Sequence, residues 1–88
     1  MKEVEKIALK IGYGASDPQK IEEIQGYIDE AVEFMKTSGV AEKEISTHTA
    51  YVVKSLWADY RDSGVEESII KKDGIVVALI SNLRRRKK

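Results

Sequence analysis

The sequence predicts an all-α domain built as a small bundle of about four helices: a short N-terminal helix, two longer helices and a C-terminal helix. Apolar residues recur at helical spacing along most of the chain, and capping residues stand where these patterns begin. Apolar residues make up 42% and charged residues 34% of the 88 residues, which is typical of a folded domain. We therefore expect a single domain over residues 1–88, with residues 84–88 as a basic C-terminal tail.

A short first helix is predicted over residues 4–11. Its apolar residues are spaced three, one and three positions apart, which places them on one helical face: Val4, Ile7, Ala8 and Ile11. Gly12 and Gly14 then interrupt the pattern. A phosphate-binding loop would need a preceding strand and a third glycine. The pair is therefore interpreted as a helix stop.

A longer second helix is predicted from Pro18 to about Thr37. Asp17 is a favourable N-cap, and proline suits the first helical position because its missing N–H costs nothing there. Gly39 is the expected stop. One face is apolar, and acidic residues occupy most of the rest: Glu22, Glu23, Asp29, Glu30 and Glu33.

The third helix is predicted over residues 47–62, with Ser46 as its cap. Near its end, Trp57, Tyr60 and Arg61 fall within five residues, a composition typical of an interface hot spot. The alternative is that both aromatic residues close the core while Arg61 pairs with an acid such as Asp62 or one on the second helix. Both interpretations stay open at this point.

Residues 65–72 are predicted as a loop or a single turn in which Ile69 and Ile70 dock on the core. The following segment, residues 73–83, is ambiguous. The β-branched run that starts at Ile75 suits a strand, but residues 76, 79, 80 and 83 form a helical face. No second strand is available for pairing, so a helix is favoured.

The charge is balanced overall but not along the chain. Residues 1–44 carry six lysines and ten acids, a sum of −4, whereas residues 45–88 carry nine bases and five acids, a sum of +4. Such asymmetry favours association between copies of the chain. We expect the acidic second helix to face a basic third or fourth helix of a neighbour, with these candidate interface residues: Glu22, Glu23, Glu30, Glu33, Trp57 and Arg61.

The chain ends in five basic residues: Arg84, Arg85, Arg86, Lys87 and Lys88. They are either a solvated tail after the last helix or a contact for a polyanion such as DNA. Weak, non-specific binding is the expectation in the second case.

Little in the sequence supports catalysis. There is no cysteine and a single histidine, His48, with no ligand or carboxylate spaced to work with it. We expect no enzymatic activity, no metal and no cofactor. The longest apolar run is residues 75–80, far short of the roughly 20 residues that cross a bilayer, and the charged first residues do not resemble a secretion signal. No membrane partner is expected.

Three segments resemble the small head–tail connector proteins of tailed bacteriophages, also called head-completion or DNA-packaging proteins. The segments are residues 28–40, reading IDEAVEFMKTSGV; residues 57–61, reading WADYR; and residues 78–84, reading ALISNLR. The resemblance implies a helical subunit of a ring of about a dozen copies beneath the portal. Its partners would be itself, the portal protein, a neck or tail completion protein and, non-specifically, passing DNA.

By the same resemblance, the chain would lie in the virion neck, reached from the host cytoplasm during assembly, in a phage or a prophage. The basic end becomes a candidate contact for DNA or for the portal. Two other functions stay open: a small helical DNA-binding protein and an intracellular protein-interaction adaptor. The first is poorly served by a third helix that begins Thr47-His48-Thr49, because these residues are weak readers of base edges.

Overall fold

The computed structural model describes residues 2–14 and 17–86. It is a small all-α bundle, 75% helical, with no strand among the residues described. Its helices are α1 (Glu3–Ile11), α2 (Pro18–Thr37), α3 (His48–Asp62), α4 (Glu67–Ile70) and α5 (Gly74–Arg84), with a 3-10 turn at Glu42–Glu44. The predicted fold class is confirmed, and α4 is the predicted single turn.

Helix α2 begins at its predicted cap, and both α1 and α2 end at their predicted glycines, whereas α1 begins at Glu3, one residue before the predicted start. At the start of α2, Asp17 accepts a hydrogen bond from the backbone N–H of Lys20 at 3.2 Å. Both helices stop at glycines with a left-handed backbone, Gly12 at φ 119° and Gly39 at φ 94°. Only glycine adopts these angles without strain.

The start of α3 corrects the predicted cap. Thr47, not Ser46, is the N-cap, because its hydroxyl oxygen accepts from the Ala50 N–H at 3.4 Å. The same hydroxyl donates to the Glu44 carbonyl at 2.7 Å, which ties the preceding 3-10 turn to the helix. Both residues are acceptable caps in sequence, and the turn before the helix selects the second.

The C-terminal segment resolves the ambiguity between helix and strand. The Asp73 carboxylate accepts from the backbone N–H groups of Ile75 and Val76, each at 3.1 Å, so the Asp-Gly pair starts a helix and not a hairpin. In α4, Ile70 is fully buried, as predicted, but Ile69 is 59% exposed, which corrects the expectation that both dock. Successive helical residues point about 100° apart, so one faces outward.

Helix α3 lies at the centre of the bundle, with α1, α2 and α5 packed against it. The core has two parts. The larger part surrounds Trp57 and joins α3 to α5 and to the second half of α2. The smaller part joins α1 to the first half of α2 through Ile7, Ile24 and Ile28, with Ala58 from α3.

The basic C-terminal run begins inside the last helix. Arg84 belongs to α5, and Arg85 is its C-cap. The helix continues for one residue beyond its last buried side chain, Leu83, because a cation is favourable at the negative end of a helix. Lys87 and Lys88 lie outside the described residues.

Candidate functional site

Trp57, one of the two aromatic residues of the candidate hot spot, lies in the core. Its side chain has no exposed surface, and its ring centroid lies 5.4 Å from that of Phe34 on α2. The indole N–H donates to Glu30 Oε1 at 3.0 Å, which satisfies its only polar atom. Trp57 is therefore a core residue of the chain, as the alternative interpretation has it. Tyr60 is half-buried against the same core, and its hydroxyl donates to Asp73 Oδ1 at 3.0 Å.

Glu30 joins α2 to α3 through two partners. Besides the indole, Oε1 accepts from Arg61 Nε at 2.9 Å, and Oε2 accepts from Arg61 Nη2 at 3.3 Å. The guanidinium also lies over the Tyr27 ring, 5.3 Å from its centroid, and it donates to the Val65 carbonyl at 3.4 Å. Arg61 thus pairs with an acid of the second helix, one of the two partners foreseen.

The ionisation of this pair follows from its contacts. Burial acts to raise the pKa of Glu30, but the hydrogen bonds from Arg61 and Trp57 and the positive charge of Arg61 outweigh it and lower the pKa. The hydrogen bond to Glu30 raises the pKa of Arg61. Both groups stay charged across the neutral range, so Glu30 and Arg61 form an internal clamp between helices, about a quarter exposed, at 27% for each side chain.

The other candidate acids do lie on the surface. Glu22, Glu23 and Glu33 are exposed along α2, and Glu23 pairs with Lys20 at 3.2 Å in an exposed contact of small energetic value. Glu33 lines an open groove of about 440 Å³ between α2 and α4, together with Asp29, Glu67 and other residues. The second helix therefore carries an acidic outer surface, as its sequence predicts.

The described arginines at the C-terminus differ in their contacts within the chain. Arg84 and Arg85 are exposed, whereas Arg86 folds back on its own chain. It donates to Thr49 Oγ1 at 3.1 Å and lies 3.6 Å from a carboxylate oxygen of Glu44. Arg86 is also exposed, at 42% of its side chain, but it is held by these two contacts within the chain.

The feature that sequence reasoning missed is the outer face of α5. Ile75 is 60% exposed and Val77 45% exposed, and Ile69 on α4 is similarly open. The signal was present, since a run of apolar residues from 75 to 80 cannot turn every side chain toward one neighbour in a helix. The buried stripe uses only Val76, Leu79, Ile80 and Leu83 of this segment.

A second unforeseen feature is a buried ion pair between α1 and α3. The Lys54 ammonium is almost completely buried and lies 3.2 Å from a carboxylate oxygen of Glu3. A buried charge needs such a partner to offset its lost hydration. Next to it on α3, the buried hydroxyl of Ser55 has no hydrogen-bond partner among the described residues and lines a notch of about 90 Å³.

No group of histidine, cysteine and acidic residues in ranges 2–14 and 17–86 is arranged to hold a metal ion. His48 is exposed at the first position of α3 and stacks on Tyr51, with ring centroids 5.8 Å apart. It lines an open groove with Glu3, Lys6 and Thr47. Two surfaces of the described residues could serve recognition: an acidic one on α2, and on α5 an apolar one that ends in arginines.

Comparison with known proteins adds no relative: no family model, curated protein or solved structure matches this chain. In the described part of the chain, no helix combines the length and the apolar character that a membrane span requires.

Proposed function

We propose that this chain is a structural subunit of the neck of a tailed phage or prophage, one that assembles as a ring beneath the portal and lets DNA pass. The proposal extends the resemblance of residues 28–40, 57–61 and 78–84 to head–tail connectors. The observation that carries it is the outer face of α5, where large apolar side chains stand in solvent. Such a surface on a small domain is typical of an interaction site.

The positions of the three segments in the fold agree with a docking protein. Residues 28–40 contain the second half of α2, residues 57–61 the end of α3, and residues 78–84 most of α5. Glu30, Trp57 and Arg61 join the first two segments inside one subunit. The third segment packs on α3 with one face and leaves the opposite face for a neighbour.

A DNA-binding function is the second candidate, supported by the exposed Arg84 and Arg85. It would use the phosphate backbone, since α3 begins with threonine and histidine side chains that read bases poorly. The connector proposal also includes contact with DNA, but a weak and non-specific one. The two candidates therefore differ in affinity and sequence preference.

Two experiments test the proposal. Electron microscopy of the chain, alone and with the portal protein encoded by the same phage or prophage, should show rings, alone or seated on the portal. Gel-shift titration on short duplexes should show weak binding that is lost as salt rises and is indifferent to sequence. Tight binding to one DNA sequence by a chain that ignores the portal would contradict the connector function and favour a regulator.

A further inference from the structure

Over residues 75–80, helix α5 is apolar on both sides. Its inner face is buried against the bundle through Val76, Ile80 and Leu83, which are at most 5% exposed. Its outer face presents Ile75, 60% exposed, to solvent. A helix that is apolar all round is normally covered all round. The bundle covers only one side, so the outer side is an unpartnered surface.

The outer face of α5 is apolar at its start and basic at its end. Residues 74–86 contain no acid. Ile75, Ala78, Asn82 and Arg85 follow one another along one side of the helix, at steps of three, four and three residues, and all four are exposed. Its partner should therefore be apolar at one end and acidic at the other. A DNA duplex would engage the arginine but leave Ile75 in water.

The outer face of α2 has these properties in the same order. At its start, Val4, Pro18 and Ile21 line an open groove of about 390 Å³ between the first turns of α1 and α2. The polar and charged side chains of Lys2, Glu5, Glu22 and Gln25 complete its lining. Further along the same face, Asp29 is exposed, and its side-chain oxygen accepts from Gln25 Nε2 at 2.9 Å. A groove that contains three apolar side chains thus precedes a carboxylate.

The distance between the apolar end and the charged end is also similar on the two helices. From Ile75 to Arg85 the rise along α5 is about 15 Å, and from Pro18 to Asp29 the rise along α2 is about 16 Å, at 1.5 Å per residue. With the two helices side by side and parallel, the isoleucine lies at the groove while the guanidinium lies at the carboxylate. Apolar contact and charge pairing are then made together, which fixes the register.

We propose that the outer face of α5, formed by Ile75, Ala78 and Arg85, docks lengthwise on the outer face of α2, from Pro18 to Asp29, in a second copy of this chain. This inference rests on the self-assembly in the proposed function and specifies its contact. Because α2 and α5 are different surfaces of one subunit, the interface is heterologous. Repetition of such a contact yields a ring when the rotation closes and a filament when it does not.

Charge reversal in trans is the first part of the test. Sedimentation velocity on the full chain should show that Arg85→Glu and Asp29→Lys each weaken self-association by at least about tenfold, because each places like charges at the contact. An equimolar mixture of the two variants should regain the native association, since every contact between unlike variants again joins opposite charges. Lys6→Glu, a reversal on the exposed side of α1, is the matched control and should change little.

Apolar truncation is the second part. Ile75→Ser should weaken association by at least about tenfold, whereas Leu9→Ser should leave it unchanged. Leu9 is 47% exposed in the last turn of α1 and lines neither surface. Circular dichroism should show native helicity in every variant, because none of the substituted side chains is buried.

The proposal is overturned if the native chain stays monomeric at millimolar concentration or if the mixed charge variants fail to associate. Equal loss from Leu9→Ser and Ile75→Ser would also overturn it. Portal binding by the native chain is measured in parallel by co-sedimentation. A chain that binds the portal but does not recognise itself through these faces loses this inference and keeps the connector function. A chain that associates through these faces and ignores the portal keeps the inference and loses the function.

Discussion

Two regions of the molecule each contain a large apolar side chain and an arginine, but one is closed within the chain and the other is exposed to solvent. Around Trp57, a large aromatic residue, an arginine and a carboxylate meet, and every polar atom of the indole is satisfied within the chain. On α5, Ile75 and Arg85 are exposed, and no element of the described ranges 2–14 and 17–86 covers them. The comparison teaches that residue types typical of an interface hot spot do not by themselves show where an interface lies. A tryptophan and an arginine that share a carboxylate partner inside the chain form a core, whereas a helix with a surplus apolar face requires a neighbour.

The largest effect should come from Trp57→Ala. Removal of a fully buried indole leaves a cavity and takes one hydrogen-bond donor from Glu30, so the free energy of unfolding should fall by about 3 to 5 kcal/mol. Urea denaturation followed by circular dichroism measures the loss. The matched control, Ile75→Ala, should change stability by less than about 0.5 kcal/mol because that side chain is largely exposed. Equal effects at the two positions would erase the contrast between closed and open regions.

An intermediate effect is expected from Glu30→Gln. The amide keeps an acceptor for the indole but removes the charge beside Arg61, and the clamp is partly exposed, so the loss should be about 1 to 2 kcal/mol. Glu33→Gln, on the exposed side of the same helix, is the matched control and should be close to neutral. A loss as large at position 33 would show that helix charge, and not the clamp, sets the stability.

The same clamp predicts a dependence of stability on pH. The pKa of Glu30 is lowered in the folded chain, so its contribution is complete above the ordinary glutamate pKa of about 4.3 and is lost as the pH falls through the folded value. Urea midpoints measured from pH 6 to pH 2 should therefore fall less steeply in Glu30→Gln than in the native chain. Parallel curves would show that Glu30 does not carry the acid sensitivity.

The fold was largely readable from the sequence because its signals are local. Asp17, Pro18 and Gly39 define α2 by capping chemistry alone, and the structure keeps all three roles. The predicted cap of α3 is wrong by one residue because the preceding 3-10 turn, a tertiary detail, determines which hydroxyl reaches the helix. Asp73 decided helix over strand at α5 by occupying the first free N–H groups.

The candidate surface was only partly readable, because burial depends on which helices meet. The acidic face of α2 follows from its own periodicity, and the structure keeps Glu22 and Glu33 exposed. Whether Trp57 faces in or out depends on Glu30, 27 positions away, and no local pattern encodes that distance. The exposure of Ile75, in contrast, can be predicted locally, because a helix with apolar residues on both sides already indicates a face that the bundle does not cover.

The smallest effect on stability should come from removal of the last four residues, 85–88. This truncation removes the hydrogen bond from Arg86 to Thr49 and the ion pair of Arg86 with Glu44. The Arg86 side chain is 42% exposed, so its loss should change the free energy of unfolding by less than about 1 kcal/mol in urea denaturation. Association should nevertheless weaken, because Arg85 is removed as well. A shortened chain that fails to fold would contradict the placement of the core boundary at Leu83.

Side-chain oxidation footprinting by hydroxyl radicals, read by mass spectrometry at low and high protein concentration, tests the central contrast most directly. The account predicts that Trp57 is scarcely oxidised at either concentration, that Ile75 is oxidised in the dilute chain and protected in the concentrated one, and that Leu9 is oxidised in both. Strong oxidation of Trp57 in the dilute chain, followed by its protection on association while Ile75 stays reactive, would contradict it.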